Sequence, residues 1–274
     1  MDLLQAIVLG IVQGLTEFLP ISSSGHLRIV PAFLGWEDPG TAFTAVIQLG
    51  TMAAVVLYFR DDLLRIACVW LASLRDPERR SELDARLGWY LIIGTVPISI
   101  FGLAFQHQIE SSARSLYVIG TTLIVLGIVL LVAEKVSKRD RDLTTLTRRD
   151  AIVVGFAQAL ALIPGVSRSG ATITAGLFLG FDRVAAARFS FLLSIPAVVL
   201  SGLFEFKDVL DGSAEGAAGI GATAVATLLA FISGYASIAF LLKFLTTHTT
   251  AVFVAYRVVL GIVVLALAGT HVIA

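Results

Sequence analysis

Residues 6–35 read AIVLGIVQGLTEFLPISSSGHLRIVPAFLG, an apolar stretch that carries a carboxylate, an imidazole and three consecutive serines. Residues 151–180 read AIVVGFAQALALIPGVSRSGATITAGLFLG and align with it without a gap, at an offset of 145. The two stretches share twelve identities in thirty positions: Ala6/Ala151, Ile7/Ile152, Val8/Val153, Gly10/Gly155, Gln13/Gln158, Leu15/Leu160, Ser22/Ser167, Ser24/Ser169, Gly25/Gly170, Phe33/Phe178, Leu34/Leu179 and Gly35/Gly180. This is well above chance even for apolar segments, so the chain contains an internal duplication, with polar groups at the same break in each copy.

The composition is that of an integral membrane protein. Of the 274 residues, 57% are hydrophobic and 15% are charged, and the mean hydropathy is +0.90. Soluble domains are instead about half apolar and about a quarter charged. The formal net charge is zero, which removes any argument for a nucleic-acid partner. The single cysteine excludes a disulfide framework and a thiolate metal site.

Continuous apolar stretches predict six spanning helices, because a helix needs about 20 mostly apolar residues to cross a bilayer. These stretches cover residues 41–59, 88–106, 116–134, 184–206, 217–242 and 251–272. The duplicated stretches are too short to cross, and in the second copy Pro164-Gly165 breaks the helix. Non-helical backbone at membrane depth survives only where protein or water satisfies it. Residues 3–35 and 151–180 are therefore predicted to form re-entrant helix hairpins with polar tips.

Positive charge in the connections predicts their orientation. Residues 60–87 and 135–149 each contain six Lys or Arg, so both are expected on the cytoplasmic side. Residues 107–115 and 207–216 contain one basic residue each and are expected outside. Three predicted spans separate the two hairpins. Because three is odd, the second copy should be inverted relative to the first.

The predicted fold is a single all-α polytopic membrane domain with an inverted-topology internal repeat. Each repeat consists of one re-entrant hairpin and three transmembrane helices. The first covers about residues 1–134 and the second about residues 150–274, with 135–149 as a cytoplasmic linker. A pseudo-two-fold axis in the membrane plane would bring the two polar tips together near the middle of the bilayer.

Gln13 and Glu17 lie four residues apart and therefore share one helix face. An ionisable group inside a membrane segment is costly and normally faces a cavity or a partner, which favours a functional role for Glu17. The alternative is a structural ion pair between Glu17 and Arg168 across the repeat interface. Gln13 and its repeat mate Gln158 are also compatible with simple helix packing.

The tip of the first copy, residues 22–26, places hydroxyls, a glycine and an imidazole at a helix break. Ser22 and Ser24, with counterparts in the second copy, are compatible with simple helix caps. The differences between the copies include Ser23/Arg168, His26/Ala171 and Glu17/Leu162. A division of labour over one anionic ligand explains these differences, whereas symmetric packing does not.

Residues 164–172 form a glycine-bounded loop that opens a helix. Backbone N–H groups, the positive end of the helix and nearby hydroxyls make such a loop suited to phosphate oxygens. Arg168 adds a bidentate donor that stays charged when it is desolvated. The loop therefore predicts a phosphate site.

The motifs QGLTEFLPISSSGH (13–26) and PGVSRSGAT (164–172) resemble the two signature motifs of the bacitracin-resistance-type undecaprenyl-diphosphate phosphatases. The resemblance extends over essentially the whole chain. It implies hydrolysis of a long polyprenyl diphosphate to the monophosphate, which recycles the lipid carrier of cell-wall synthesis. It also implies a multi-pass protein of the bacterial inner membrane, with membrane lipids and the polyprenyl diphosphate as partners. A homodimer is left open.

The resemblance also implies roles for individual residues. Glu17, with Gln13, would hold a divalent cation, Mg²⁺ or Ca²⁺, on the diphosphate. Arg168 would stabilise charge during transfer. Ser23 is the candidate nucleophile and His26 the acid or base that activates it or protonates the leaving group, with direct attack by water left open. The further expected substrate-binding residues are Gln13, Ser22, Ser24, Ser167, Ser169, Gly170 and Thr172.

Two alternatives remain open from the sequence. A transporter or lipid flippase is the rival function, because inverted repeats with broken helices also build secondary transporters. Arg257, inside the last predicted span, is expected either to extend to the cytoplasmic face or to reach the site. The membrane face to which the site opens is not determined.

Overall fold

The computed structural model describes residues 1–105, 115–210 and 219–273, which contain α-helices and short 3₁₀ turns but no β-sheet. The helices are α1 Leu3–Phe18, α2 Ser23–Leu34, α3 Gly40–Tyr58, α4 Arg60–Arg75, α5 Leu83–Ala104, α6 Leu116–Val136, α7 Arg148–Ala159, α8 Arg168–Phe178, α9 Arg183–Leu210, α10 Ile220–Phe244 and α11 Ala251–Gly269. The 3₁₀ turns are Pro77–Ser81, Leu143–Thr145 and Leu160–Leu162. The all-α prediction is confirmed.

Five of the described helices, α5, α6, α9, α10 and α11, are long and apolar enough to cross a membrane. A sixth crossing is formed if Ala42–Tyr58 and Arg60–Arg75 count as one span, since they pass the same test together but bend by 72° between them. The prediction of a multi-pass helical membrane protein is confirmed. The expected cytoplasmic connection 60–87 contains α4, and most of the expected outer connections 107–115 and 207–216 lies outside the described residues.

Each duplicated stretch forms two short helices separated by a break. In the first, α1 ends at Phe18 and α2 begins at Ser23. In the second, α7 passes into the turn Leu160–Leu162, and α8 begins at Arg168 after the Pro164-Gly165 bend. Gly165 has a φ of +86°, a conformation that residues with a side chain rarely adopt. The chain is therefore broken where the sequence places Pro and Gly.

The first helix of each duplicated stretch packs against a span from the other half of the chain. Helix α1 packs on α10, where a Cβ on Gly10 would overlap the backbone of Ala226. Helix α7 packs on α5, where a Cβ on Gly155 would lie 2.5 Å from the carbonyl oxygen of Gly94. Gly10 and Gly155 occupy equivalent positions in the duplication, so both close approaches use the same repeated glycine. Opposite membrane orientation of the two halves stays a prediction.

The linker 135–149 is attached to the second hairpin through Arg141. Its backbone N–H donates to the Gly180 carbonyl at 3.1 Å, and its carbonyl accepts from the Asp182 N–H at 2.8 Å. Its guanidinium pairs with Asp150, in the first turn of α7, at 2.6 Å. Burial acts to raise the pKa of Asp150, but hydrogen bonds from Arg141 and Thr147 outweigh it and hold that pKa below its ordinary value.

Candidate active site

The two breaks end in matching serine caps. Ser22 and Ser167 precede α2 and α8 and have φ values of 78° and 70°. The Ser22 hydroxyl accepts a hydrogen bond from the Gly25 N–H at 3.3 Å, and the Ser167 hydroxyl accepts one from the Gly170 N–H at 3.1 Å. A positive φ is uncommon for a residue other than glycine and often marks a functional site. The capping alternative describes what both hydroxyls do here, and substrate binding by them stays a prediction.

The remaining polar residues of the breaks have local partners. The hydroxyl oxygens of Ser22 and Ser24 lie 3.3 Å apart, and Ser24 is exposed. Ser169 is buried and donates to the Leu19 carbonyl at 3.0 Å, which links the second break to the first. Thr172 is also buried, and its hydroxyl lies 2.6 Å from that of Ser190 on α9. Ser169 and Thr172 thus hold the two tips in place, and a direct contact with substrate stays a prediction.

Glu17 joins the two hairpins. One carboxylate oxygen, Oε1, forms an ion pair with the guanidinium of Arg168. The other, Oε2, accepts from the Ser23 hydroxyl at 2.5 Å and from the Gln13 amide nitrogen at 3.2 Å. The side chains of Glu17 and Arg168 are only 8% and 15% exposed. The ion pair that the sequence left as an alternative is therefore present, and Ser23, the candidate nucleophile, donates to the same carboxylate.

The helices that follow the two breaks begin at residues whose side chains contact this carboxylate. Ser23 is the first residue of α2 and Arg168 the first residue of α8, and both side chains contact Glu17. The N-terminus of a helix carries partial positive charge and favours a nearby anion. Phe18 is buried at the end of α1, next to Glu17. Its ring packs edge-on against that of Phe191, with the ring centroids 5.5 Å apart, and so fixes the end of α1 beside the ion pair of Glu17 and Arg168. The arrangement suits a ligand with several negative charges.

His26 is 5% exposed and does not use Ser23 as a partner. Its Nδ1 lies 2.7 Å from the Ser22 carbonyl oxygen, and its Nε2 lies 2.7 Å from the hydroxyl of Tyr256 on α11. Tyr256 was not identified from the sequence, since a tyrosine in an apolar span is ordinary in membrane proteins. In this arrangement Glu17, rather than His26, is the group placed to accept the Ser23 proton.

Arg257 is fully buried and reaches the site from α11, which is the second of the two alternatives that the sequence left open. Its guanidinium donates to carbonyls in the first break, the second break and α6. The acceptors are Pro20 at 3.2 Å, Gly165 at 3.2 Å, Val166 at 3.0 Å, Thr122 at 3.3 Å and Leu123 at 3.2 Å. Buried carbonyls at a helix break need such donors, and one arginine therefore supports both tips.

The glycine of the second tip makes room for this arginine. A Cβ on Gly170 would lie 2.7 Å from Nη1 of Arg257, which is closer than side-chain carbons approach other atoms. Gly170 was predicted as a substrate-binding residue. In the structure Gly170 packs beside Arg257. Its contact with substrate stays a prediction.

The residues present are compatible with a divalent cation. The side-chain carbonyl oxygen of Gln13 is buried and has no hydrogen-bond partner among the residues that the structure describes. The amide nitrogen of the same side chain contacts Glu17. Within the described ranges, no group of three or more His, Cys, Asp or Glu side chains is placed to hold a metal ion. Mg²⁺ is commonly bound by one or two carboxylates together with water and substrate phosphates. Glu17 and Gln13 fit that limited ligand set.

These features define a class of protein. It is a multi-pass helical membrane protein in which two broken helices bring a carboxylate, a serine, an arginine and a buried imidazole together. Residues 6–263 match the family described as Bacitracin resistance protein BacA, and the chain belongs to that family. The family resemblance seen in the motifs is confirmed.

Several relatives match over nearly their whole length. A protein of a Nocardioides species named undecaprenyl-diphosphatase is 57% identical over 273 residues, covering 100% of this chain and 99% of the relative. The undecaprenyl-diphosphatase of Mycolicibacterium smegmatis is 54% identical over 275 residues, with the same coverage. That of Chlorobaculum tepidum is 51% identical over 277 residues and covers 98% of each chain.

Proposed function

We propose that this protein hydrolyses undecaprenyl diphosphate to undecaprenyl phosphate and inorganic phosphate. This reaction recycles the lipid carrier of cell-wall synthesis in the bacterial inner membrane and contributes to bacitracin resistance. The observation that carries the proposal is the contact of Glu17 with Ser23 and Arg168, which unites the two breaks. The names of the full-length relatives support the same substrate.

Arg168 is the main binding group for the diphosphate. It already lies against an anion, the Glu17 carboxylate, at the N-terminus of α8. A phosphate offers more acceptor oxygens than a carboxylate and forms bidentate bonds with guanidinium. Substrate oxygens therefore replace Glu17 as the partner of Arg168, which frees the carboxylate for proton transfer. The positive ends of α2 and α8 add to this attraction.

Glu17 acts as the base toward Ser23. The hydroxyl already donates to the carboxylate at 2.5 Å, the short distance of a hydroxyl bonded to an anionic oxygen. The Ser23 oxygen bonds to the terminal phosphorus while the bond from that phosphorus to the bridging oxygen breaks, and undecaprenyl phosphate leaves. Water then cleaves the phosphoserine and releases inorganic phosphate. Direct attack by water on the terminal phosphorus is the alternative, with Ser23 then a ligand only.

For His26 to exchange a proton with the leaving group, its Nε2 must leave the Tyr256 hydroxyl, because the Ser22 carbonyl engages Nδ1. Oxygens of Glu17 and Gln13 would hold a divalent cation, Mg²⁺ or Ca²⁺, which would neutralise part of the diphosphate charge. The protein groups remain responsible for binding the phosphates, activating Ser23 and holding the imidazole.

A carrier for an anionic lipid is the second candidate function, because the reciprocal packing through Gly10 and Gly155 is a geometry also used by transporters. The hydrogen bond from Ser23 to Glu17 favours the enzyme. A carrier needs positive charge to bind its cargo and has little use for a carboxylate beside a serine at the same point.

The test is release of inorganic phosphate from undecaprenyl diphosphate by the full-length protein purified in detergent, with Mg²⁺, with Ca²⁺ and with chelator. Glu17→Gln should lower the rate by about 10²–10⁴-fold, the usual contribution of a general base. Glu37→Gln provides the matched control, since Glu37 is exposed. Absence of release from folded wild type, or equal rates in the two variants, would overturn the proposal.

A further inference from the structure

We infer that Ser190, on α9, is a positioning residue for Arg168 and sets the place of its guanidinium through Thr172. The inference rests on the proposed function, because that function gives Arg168 the diphosphate that it binds. Ser190 is buried, and it lies outside both sequence motifs. Serine is ordinary where membrane helices pack against each other, so the sequence alone gave no reason to single it out.

The close packing of α8 on α9 brings the two hydroxyls together. A Cβ on Gly176 of α8 would lie 2.8 Å from the Cβ of Ala186 on α9. One turn away on each helix, the hydroxyl oxygens of Thr172 and Ser190 lie 2.6 Å apart. The two contacts follow in opposite order along the two helices, so α8 and α9 run antiparallel. Small residues therefore let the helices approach closely enough for a side-chain hydrogen bond.

The direction of the hydrogen bond between Ser190 and Thr172 follows from the other partners of Thr172. Its hydroxyl lies 2.8 Å from the carbonyl oxygen of Arg168 and 3.3 Å from that of Ser169. A carbonyl oxygen only accepts, so the single hydroxyl proton of Thr172 points to these oxygens. Ser190 is therefore the donor in the contact of 2.6 Å. The bonds run in one direction, from Ser190 to Thr172 and from Thr172 to the Arg168 carbonyl.

This chain of hydrogen bonds fixes the position of α8 along α9. The contact between Gly176 and Ala186 is apolar and tolerates sliding, whereas a hydrogen bond depends on both distance and angle. Among the residues that the structure describes, the bond from Ser190 to Thr172 is the one hydrogen bond between α8 and α9. Arg168 is the first residue of α8 and follows the break directly, so no earlier helical turn holds it in place.

Helix α9 also contacts the other member of the ion pair. Phe191, which follows Ser190, packs edge-on against Phe18, the residue after Glu17, with the ring centroids 5.5 Å apart. Consecutive residues of α9 thus contact the hairpin that carries Glu17 and the hairpin that carries Arg168. This turn of α9 sets the distance between the carboxylate and the guanidinium.

The test compares Ser190→Ala with Ser194→Ala in full-length protein purified in detergent. Ser194 is the matched control because it lies one turn further along α9 and is also buried, but its hydroxyl donates within its own helix, to the Phe191 carbonyl at 2.7 Å. Ser190→Ala should lower kcat/KM for phosphate release by about 10–100-fold, since a misplacement of about 1 Å can cost about 100-fold. Ser194→Ala should keep the wild-type value, and equal losses in the two variants would overturn the inference.

A double-mutant cycle tests whether Ser190 acts through Thr172. Thr172→Val removes the hydroxyl that links Ser190 to the Arg168 carbonyl, at nearly the same side-chain volume. If Ser190 acts through this hydroxyl, the combined variant should be no more impaired than Thr172→Val alone. A combined loss equal to the product of the two single losses would overturn the inference.

A third measurement follows Arg168 without substrate. In protein labelled with ¹⁵N-arginine, Ser190→Ala should move the Nε resonance of Arg168, because the guanidinium shifts relative to Glu17. The resonance is assigned by its loss in Arg168→Met. Ser194→Ala should leave it unmoved.

Two results of the third measurement would overturn the inference. One is an unmoved Arg168 resonance in Ser190→Ala. The other is a moved resonance with wild-type kcat/KM, because the contact between Ser190 and Thr172 would then serve packing alone. Failure of the proposed function gives a different result, since wild type would release no phosphate while the Arg168 resonance still reported the contact.

Discussion

Replacing Arg257 with methionine tests how the two helix breaks are held inside the membrane. Methionine has a similar length but donates no hydrogen bond, so the substitution removes all five contacts to carbonyls at once. Two of these acceptors, Thr122 and Leu123, lie within the spanning helix α6. The other three, Pro20, Gly165 and Val166, lie in the breaks, where the backbone needs a donor from elsewhere.

The expected cost follows from those three carbonyls. An unsatisfied buried acceptor costs about 1–3 kcal/mol, so three cost about 3–9 kcal/mol. Removing the buried cation recovers several kcal/mol of desolvation. The net loss in the free energy of unfolding should be up to about 5 kcal/mol. Phosphate release should fall by more than about 100-fold, because displaced tips no longer align Glu17, Ser23 and Arg168.

Denaturant unfolding in detergent micelles measures the free energy, and phosphate release from undecaprenyl diphosphate measures the function. Arg149→Met is the matched control, since Arg149 is exposed at the start of α7, and its effect should stay within about 0.5 kcal/mol. If Arg257→Met were as stable and as active as Arg149→Met, the argument that one arginine supports both breaks would be refuted.

Three further predictions concern the tip, the linker and the cation. Gly170→Ala should lower both stability and phosphate release, because the added Cβ would lie 2.7 Å from Arg257. Gly102→Ala should lower neither, because the nearest atom to its added Cβ lies 3.9 Å away. Equal effects of the two substitutions would contradict this prediction. The folded-state pKa of Asp150 lies below its ordinary value of 3.8, so its stabilising contribution is complete above that value and lost as pH falls through the folded pKa. Thermal unfolding from pH 7 to pH 3 should therefore show a smaller acid-induced loss in Asp150→Asn than in wild type, and identical pH curves would refute the assignment. Gln13→Leu should raise the Mg²⁺ concentration required for half-maximal phosphate release, and an unchanged requirement would remove Gln13 from the ligand set.

The sequence predicts the framework well because the framework depends on local patterns. Hydropathy predicts spans such as 116–134 and 251–272, which the structure places at Leu116–Val136 and Ala251–Gly269. The breaks follow from Pro164-Gly165 and from the serine motifs. The proximity of Glu17 to Arg168 follows from the duplication, since equivalent breaks in two repeats are expected to meet.

The remaining parts of the site depend on contacts that no local pattern encodes. Tyr256 reaches His26 only because α11 packs beside both tips, and a single tyrosine in an apolar helix carries no signal of that contact. Arg257 was recognisable as unusual, because charged groups inside spans are rare. The carbonyl groups that it contacts could not be recognised from the sequence, because they lie in the two helix breaks and in α6.

The helix α4, which follows the bend after α3, was also not predicted from the sequence. The residues of α4 have too many charges to be predicted as a span, so the sequence assigned them to a connection. In the structure they form a helix with an exposed apolar face that includes Leu64, Leu71 and Leu74. Amphipathic helices of this kind are stabilised by their surroundings rather than by hydropathy along the sequence.

A double-mutant cycle tests most directly whether residues from the two hairpins form one active site. It compares phosphate release by Glu17→Gln, Arg168→Met and the combined variant. Residues that act as a unit give strongly non-additive losses. The double variant should therefore be about as impaired as the worse single variant. A combined loss equal to the product of the two single losses, in folded protein, would mean that Glu17 and Arg168 act independently and would contradict the shared site.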